Sequence, residues 1–256
     1  CEVIVLTRSK ESVLIQESEN IKYITNDINL DNNLPDELTN SVDALVHLAW
    51  SNVNDVNSEI HLNYNLPAHY DFIKKVVKSG VKEIIVSGSC YEYGKCEGSI
   101  NENHPTKPIT NYGKAKDQLR IQLELFSNEI GFNLVWARLF YIFGKGQVST
   151  SIYSQLMTAI SRGDPSFKMS SGDQRLDYLP VKEAAKIIVN LLLLRKNIGC
   201  VNVCNGKPIM LRKIVNRWVF SSESNIILSL GAYPNRTHEP KSFWGDRSYL
   251  DELLNL

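Results

Sequence analysis

Six short runs of β-branched and aliphatic residues recur along the chain, with amphipathic stretches between them. The runs are EVIVLT (2–7), IKYITN (21–26), ALVHLA (44–49), EIIVSG (83–88), NLVWARLF (133–140) and CVNVCN (200–205). They are apolar almost throughout instead of alternating with polar residues, the pattern of strands buried on both faces of a parallel sheet. The segments 66–79, 112–130 and 182–195 carry apolar residues at helical spacing, and the first two stop before Gly80 and Gly131. Strands separated by helices predict an α/β fold with a doubly wound parallel sheet. Its binding crevice is expected along the carboxyl ends of the strands. From Gly144 onward the pattern loosens into a helical stretch (152–162) and polar loops, which read as a smaller carboxyl-terminal lobe.

One constellation within this frame carries chemistry. Tyr112 and Lys116 lie one helical turn apart in NYGKAK (111–116), and Ser89 ends the strand run in VSGSCYEYG (86–94). Residues at i and i+4 share a helix face, so the spacing predicts a Lys116 ammonium beside the Tyr112 phenol, favouring its ionised form. A fixed cation is one of the few ways to bring a phenol towards neutral pH. With Ser89 at a strand end able to hydrogen-bond the same reacting oxygen, the trio reads as a proton-transfer device for a carbonyl/alcohol pair. The segments 47–50 and 138–143 end their strands at the same edge.

Charge and cysteine content bound the alternatives. The 256 residues hold 28 Lys+Arg against 28 Asp+Glu, so no basic track for nucleic acid and no polybasic membrane segment is expected. The longest apolar run, AAKIIVNLLLL, is too short to cross a bilayer. Five cysteines, an odd number, form no disulfide framework and fit a cytoplasmic protein. Cys200 and Cys204 lack the further ligands of a zinc site, so no metal is expected.

Taken together the motifs resemble the extended short-chain dehydrogenase/reductases, the NAD(P)-dependent nucleotide-sugar epimerases, dehydratases and reductases. HLAW (47–50) resembles the family's H-L-A-A strand end, and Asn65 its Asn before the following helix. VSGSCYEYG resembles S-S-S-x-x-x-Y-G, and NYGKAK the Y-G-x-S-K element. RLFYIFGKGQ (138–147) resembles R-x-x-N-x-Y-G-P, LDYLPV (176–181) R-D-Y-I-H-V, and NGKP (205–208) the turn after the last sheet strand. The resemblance implies a Rossmann-type domain over 1–144, to which 177–204 return, and a nucleotide-sugar lobe over 145–176 and 205–256. It implies Ser89, Tyr112 and Lys116 as catalytic. It places Arg8, Ser9, Asp27, Ile28, Leu48, Ala49, Trp50, Asn65, Ser87, Tyr112, Lys116, Leu139, Tyr141 and Ile142 around the cofactor. Ser89, Cys90, Tyr91, Tyr141, Arg175 and Arg236 fall on the substrate. A homodimer through the helices beginning at 66 and 112 is also implied.

Departures from the family pattern narrow the reading. The glycine-rich T-G-x-x-G-x-x-G turn is absent, and the chain opens at the family's second strand. It is therefore expected to be an amino-terminally truncated fragment, or else a degenerate copy. Dehydratases carry T-D-E where this chain has Ser89-Cys90-Tyr91, which argues against elimination of water. After the first strand run stands Arg8 instead of the acidic residue that binds an NAD ribose, which favours NADP, with NAD as the alternative. Leu176 occupies the place of a phosphate-binding Arg, with Arg175 one residue away. The expected activity is NADP-dependent reduction of a nucleotide-diphosphate 4-keto-6-deoxy sugar at C4. The alternatives are an NAD-dependent nucleotide-sugar 4-epimerase and a catalytically inactive dinucleotide-binding homologue.

Overall fold

Each of the six apolar runs becomes a strand. The computed structural model describes residues 1–9, 18–28, 33–38, 42–234 and 240–255. The amino-terminal part contains β1 (Val3–Thr7), β2 (Ile21–Thr25) and β3 (Ala44–His47). A π-helical turn (His61–Asn65) then leads into α1 (Leu66–Lys78) and β4 (Glu83–Ser89). A 3-10 turn (Cys90–Tyr93), β5 (Gly98–Ile100), α2 (Asn111–Ile130), β6 (Asn133–Leu139) and β7 (Tyr141–Phe143) follow. The remainder comprises α3 (Ile152–Arg162), β8 (Ser166–Lys168), β9 (Arg175–Leu176), β10 (Tyr178–Pro180), α4 (Val181–Leu193) and β11 (Gly199–Val203). Last come β12 (Ile209–Met210), α5 (Leu211–Ser221), β13 (Ile227–Ser229), β14 (Ser242–Gly245) and α6 (Ser248–Leu254).

The helices begin and end where local chemistry dictates. Thr110 caps α2 by accepting a hydrogen bond from Gly113 N, and Gly131 ends it with φ 78°. Ser151 and Gly163 do the same for α3. The cap oxygens satisfy amides that have no partner within the helix, and glycine takes the left-handed turn without a Cβ clash.

The parallel sheet has the order β11-β6-β4-β3. Its pleat sorts the side chains between two layers. Ile84, Val86, Leu134 and Trp136 face α1 and α2, packing on Phe72, Ile73, Val76, Leu119 and Leu123. Ile85, Val135, Ala137, Val201 and Val203 face the opposite way, against Ile187, Ile188 and Leu191 of α4 and Leu250 of α6. Alternation of faces along a strand explains why both sets must be apolar. β1 and β2 form a separate parallel pair. Among the described residues no strand hydrogen-bonds to the outer edge of β3, and Val46 and Leu48 are 40% and 55% exposed there.

A second core lies in the carboxyl-terminal half, where Phe140, Leu156, Phe167, Leu176, Tyr178, Trp218 and Phe243 pack together. Its mixed sheet runs β12-β9-β14-β5. The division drawn from sequence differs from this packing in two places. β5, from the first segment, pairs with β14 of the lobe, and α6, from the last segment, covers β11 of the large sheet. Short-range pattern carries no information about such pairings across the chain. Asp177 ties the halves together, its buried carboxylate accepting from the amides of Asn205 (2.7 Å), Gly206 (2.9 Å) and Gly245 (3.2 Å).

The end of β4 is fixed by a second buried carboxylate. Glu92 is fully buried and accepts from Ser89 N at 2.7 Å, Trp136 Nε1 at 3.0 Å and Arg138 Nε at 2.7 Å. With Ser89 Oγ accepting from Tyr91 N, this closes a capping box around the 3-10 turn. A Cβ at Gly88 would overlap Trp136 Nε1 and the Glu92 carboxylate, so only glycine fits there. Glu92→Ala is expected to cost about 3–5 kcal/mol, because it strands the Arg138 charge in the interior. A urea unfolding midpoint close to that of the wild type would contradict this.

Candidate active site

The carboxyl end of β4 and the start of α2 bring the predicted catalytic pair together. They set the Tyr112 phenol next to Ser89, whose side chain is close enough to favour the ionised phenol. The Tyr112 amide donates to Val56 O at 2.8 Å and the Asn111 side-chain amide donates to Asn57 O at 2.7 Å, so the loop through Val56 holds the first turn of α2 in place. The phenol ring is half-buried among His61 (ring centroids 5.4 Å apart), Tyr91 (6.0 Å) and Trp50 (6.2 Å). Beside the pair lies a cavity of about 320 Å³ whose lining includes Cys90, Tyr91, Thr110, Tyr141 and Phe243.

Lys116 departs from the expected role. It is 1% exposed, donates to Ser87 O at 2.9 Å and lies under the Trp50 indole, with Nζ 4.0 Å from the ring centroid. Burial lowers its pKa to about 7, against the opposing pull of Glu92. Burial also holds the Tyr112 phenol above its ordinary range, although the neighbouring Ser89 side chain works in the other direction. The anticipated phenol, lowered by a neighbouring ammonium, is therefore not the arrangement found. Desolvation disfavours both charged forms and outweighs their spacing along the helix.

The remaining predicted positions fall on strand ends. Leu48, Ala49 and Trp50 follow β3, Ser87 precedes Ser89 in β4, and Leu139, Tyr141 and Ile142 close β6 and enter β7. Arg8, exposed, and Ser9 follow β1, while Asp27 and Ile28 follow β2. Asn65 does not face this edge as a free donor. It is 1% exposed, and its amide is engaged with Ser51, donating to Ser51 O at 3.0 Å and accepting from Ser51 Oγ at 2.6 Å. Its contribution is to hold the loop after β3. Neighbours in β9 point to opposite faces, so Leu176 lines a cavity of about 430 Å³ that also meets Tyr141, whereas Arg175 lines a different one. Arg236 lies outside the described residues.

Three histidines and Glu92 were not among the predicted site residues. His47 Nε2 and His69 Nδ1 are 2.8 Å apart in the core beneath Trp50, which stacks on His69 at 4.6 Å. His61 Nε2 donates to Asp55 O at 2.8 Å, leaving its Nδ1 to accept from Trp50 Nε1 at 3.1 Å. The indole over Lys116 is thus held from both sides. The S-x-x-E spacing of Ser89 and Glu92 was a readable signal for the capping box, whereas the histidine contacts have no signature in sequence.

This geometry, a Ser–Tyr pair at the carboxyl end of a parallel strand with a Lys one turn further along, agrees with what comparison finds. The profile of the NAD dependent epimerase/dehydratase family matches residues 1–204. The chain belongs to that family, a family of enzymes. A dTDP-6-deoxy-L-talose 4-dehydrogenase (NAD(+)) from Aggregatibacter actinomycetemcomitans is 30% identical over 210 residues, 82% of this chain and 77% of that protein. An uncharacterized UDP-glucose epimerase from Bacillus subtilis is 21% identical over 227 residues, covering 85% and 70%. Among solved structures, a UDP-N-acetylglucosamine 4-epimerase from Methanobrevibacter ruminantium superposes with a TM-score of 0.83 at 23% identity, over 98% of this chain and 84% of that one. Membership in the epimerase/dehydratase family agrees with the Rossmann-type sheet. No helix among the described residues is long and apolar enough to cross a membrane.

The buried imidazoles beneath Trp50 give the site a pH signature. Burial lowers the pKa of His69 from 6.5 to about 3, and His47 also falls well below 6.5. Between those values the unfolded chain binds protons that the folded chain does not, so stability rises as pH rises from about 3 to 6.5. The expected gain is on the order of 2–4 kcal/mol, with part of it removed by His69→Gln. Urea midpoints measured across that window check this, and identical slopes for wild type and variant would refute it.

Proposed function

We propose that the enzyme carries out oxidoreduction at C4 of a nucleotide-diphosphate 6-deoxy sugar, acting as a reductase of the 4-keto form. The observation that carries the reading is the Tyr112 phenol next to Ser89 at the strand end, beside the cavity of about 320 Å³. Tyr112 is protonated at neutral pH, as any phenol is, and burial strengthens that state, so it enters the reaction as an acid and passes its proton to the forming O4 alkoxide. Ser89 positions that oxygen, and its own place is set by Glu92 through the backbone amide. Cys90 and Tyr91 line the sugar cavity where a dehydratase needs an acid and a base, so elimination is disfavoured.

The residues present fit the nicotinamide end of a dinucleotide. The end of β3, the meeting of β4 with α2, and β7 offer the exposed apolar face of Leu48, the reacting Ser–Tyr pair and Ile142. Lys116 and Ser87 lie beneath, and we assign Arg8 and Ser9 after β1, with Asp27 and Ile28 after β2, to the adenosine end of the dinucleotide by their order in the chain. When bound, the nicotinamide supplies hydride-transfer chemistry. We read the Arg8 position as favouring NADP, through the bidentate fit of guanidinium to phosphate. The talose dehydrogenase relative supports C4 chemistry on a 6-deoxy sugar, although its name specifies NAD(+). The epimerase relatives favour the second reading, inversion at C4 with NAD retained. A homodimer through α1 and α2 is also proposed, supported by Ile121 and Leu125 being 43% and 66% exposed on α2.

Incubation with NADPH and a dTDP-4-keto-6-deoxyhexose is expected to consume absorbance at 340 nm. Tyr112→Phe is expected to lower kcat by about 10²–10⁴-fold without loss of substrate binding. Arg8→Ala is expected to weaken NADPH roughly tenfold while leaving NADH unchanged. Inversion of a UDP-sugar at C4 without net cofactor consumption would establish the epimerase reading instead.

A further inference from the structure

A large cavity, of about 650 Å³, takes no part in the chemistry above. It opens between α5, the turn after β11 and the outer face of β9. Four cations line it, Arg175, Lys207, Lys213 and Arg217, and no carboxylate does. None of the four has an acidic partner among the described residues, although the chain as a whole carries equal numbers of acidic and basic groups, 28 of each. Gathering like charges around one concavity without counter-charges raises the local potential and costs self-repulsion, which an anionic ligand relieves.

The inner wall is aromatic. Phe143, Tyr178 and Trp218 line this cavity and also the neighbouring one of about 430 Å³, so they form the partition between the two. Trp218 is 6% exposed, and its indole Nε1 is buried with no hydrogen-bond partner. An indole N–H is a donor that buried sites nearly always satisfy, so this orphan marks the partition as a place where the protein alone leaves a polar group unanswered. An anion alone accounts for the cations. The aromatic partition calls in addition for a flat, apolar moiety.

We propose that this cavity is a second ligand site, for a nucleoside phosphate whose base lies on the Phe143–Tyr178–Trp218 partition and whose phosphates meet Lys207, Lys213, Arg175 and Arg217. The site is separate from the cavity of about 320 Å³ beside Ser89 and Tyr112, with which it shares no lining residue. It also does not rest on the proposed activity, because its test reads binding and not turnover.

Isothermal titration with ADP and, separately, inorganic pyrophosphate tests the assignment. ADP is expected to bind more tightly than pyrophosphate. The exposed pair Lys213→Glu and Arg217→Glu on α5 is expected to weaken ADP at least tenfold, and Lys207→Glu, on a different segment, to weaken it several-fold. Lys186→Glu on α4, far out in solvent, is the charge control and is expected to change neither. Quenching of tryptophan fluorescence by ADP is expected to shrink in Trp218→Phe. Pyrophosphate binding as tightly as ADP would remove the nucleoside from the proposal. ADP affinity within twofold of wild type in both charge-reversed proteins, or no binding at millimolar concentration, would overturn it.

Discussion

The fully buried carboxylate of Glu92 is the constraint around which the active edge of the sheet is organised. It accepts from the Ser89 amide, the Trp136 indole and the Arg138 guanidinium, which come from the end of β4 and from two positions on the neighbouring strand. Burying an ion pair is expensive, and such a pair seldom adds net stability over a well-packed apolar substitute. Its return here is geometric. With Arg138 also 4.4 Å above the Tyr93 ring, and the Tyr93 hydroxyl donating to Asn202 at 2.8 Å, the network links β4, β6 and β11 at one level of the sheet. Ser89 therefore meets Tyr112 from a backbone that has little freedom to shift.

The same interior sets the electrostatics of the site. A dry core disfavours every charge placed in it, so the Lys116 ammonium is weakened, the Tyr112 phenol is kept protonated, and His47 and His69 are held neutral. Trp50 contributes to this dryness. It covers Lys116, stacks on His69 and donates to His61, converting a strand end into a roofed compartment.

Much of the framework was legible in the residues. All six strands and the four helical segments over 66–79, 112–130, 152–162 and 182–195 lie where apolar spacing and the stops at Gly80 and Gly131 place them, within a residue or two. Ser89 and Tyr112 lie next to each other, at the end of β4 and the start of α2. Less legible were the partners of those residues. The i, i+4 spacing put Lys116 on the right helix face, yet its ammonium turned to the Ser87 carbonyl and the Trp50 ring. Arg175 and Leu176 differ by one residue in sequence and by one face in the strand, which sends them to different cavities.

By itself, then, the sequence determined the order and type of the elements, the parallel character of the sheet and the edge on which a Ser, a Tyr and a Lys converge. Those follow from periodicity and capping, which are local. Only the tertiary structure decided that β5 joins β14, that α6 crosses back over the large sheet and that the ionisable groups sit in a medium that suppresses their charge. Desolvation and long-range strand pairing depend on what surrounds a residue in space, and no window of neighbouring residues contains that information.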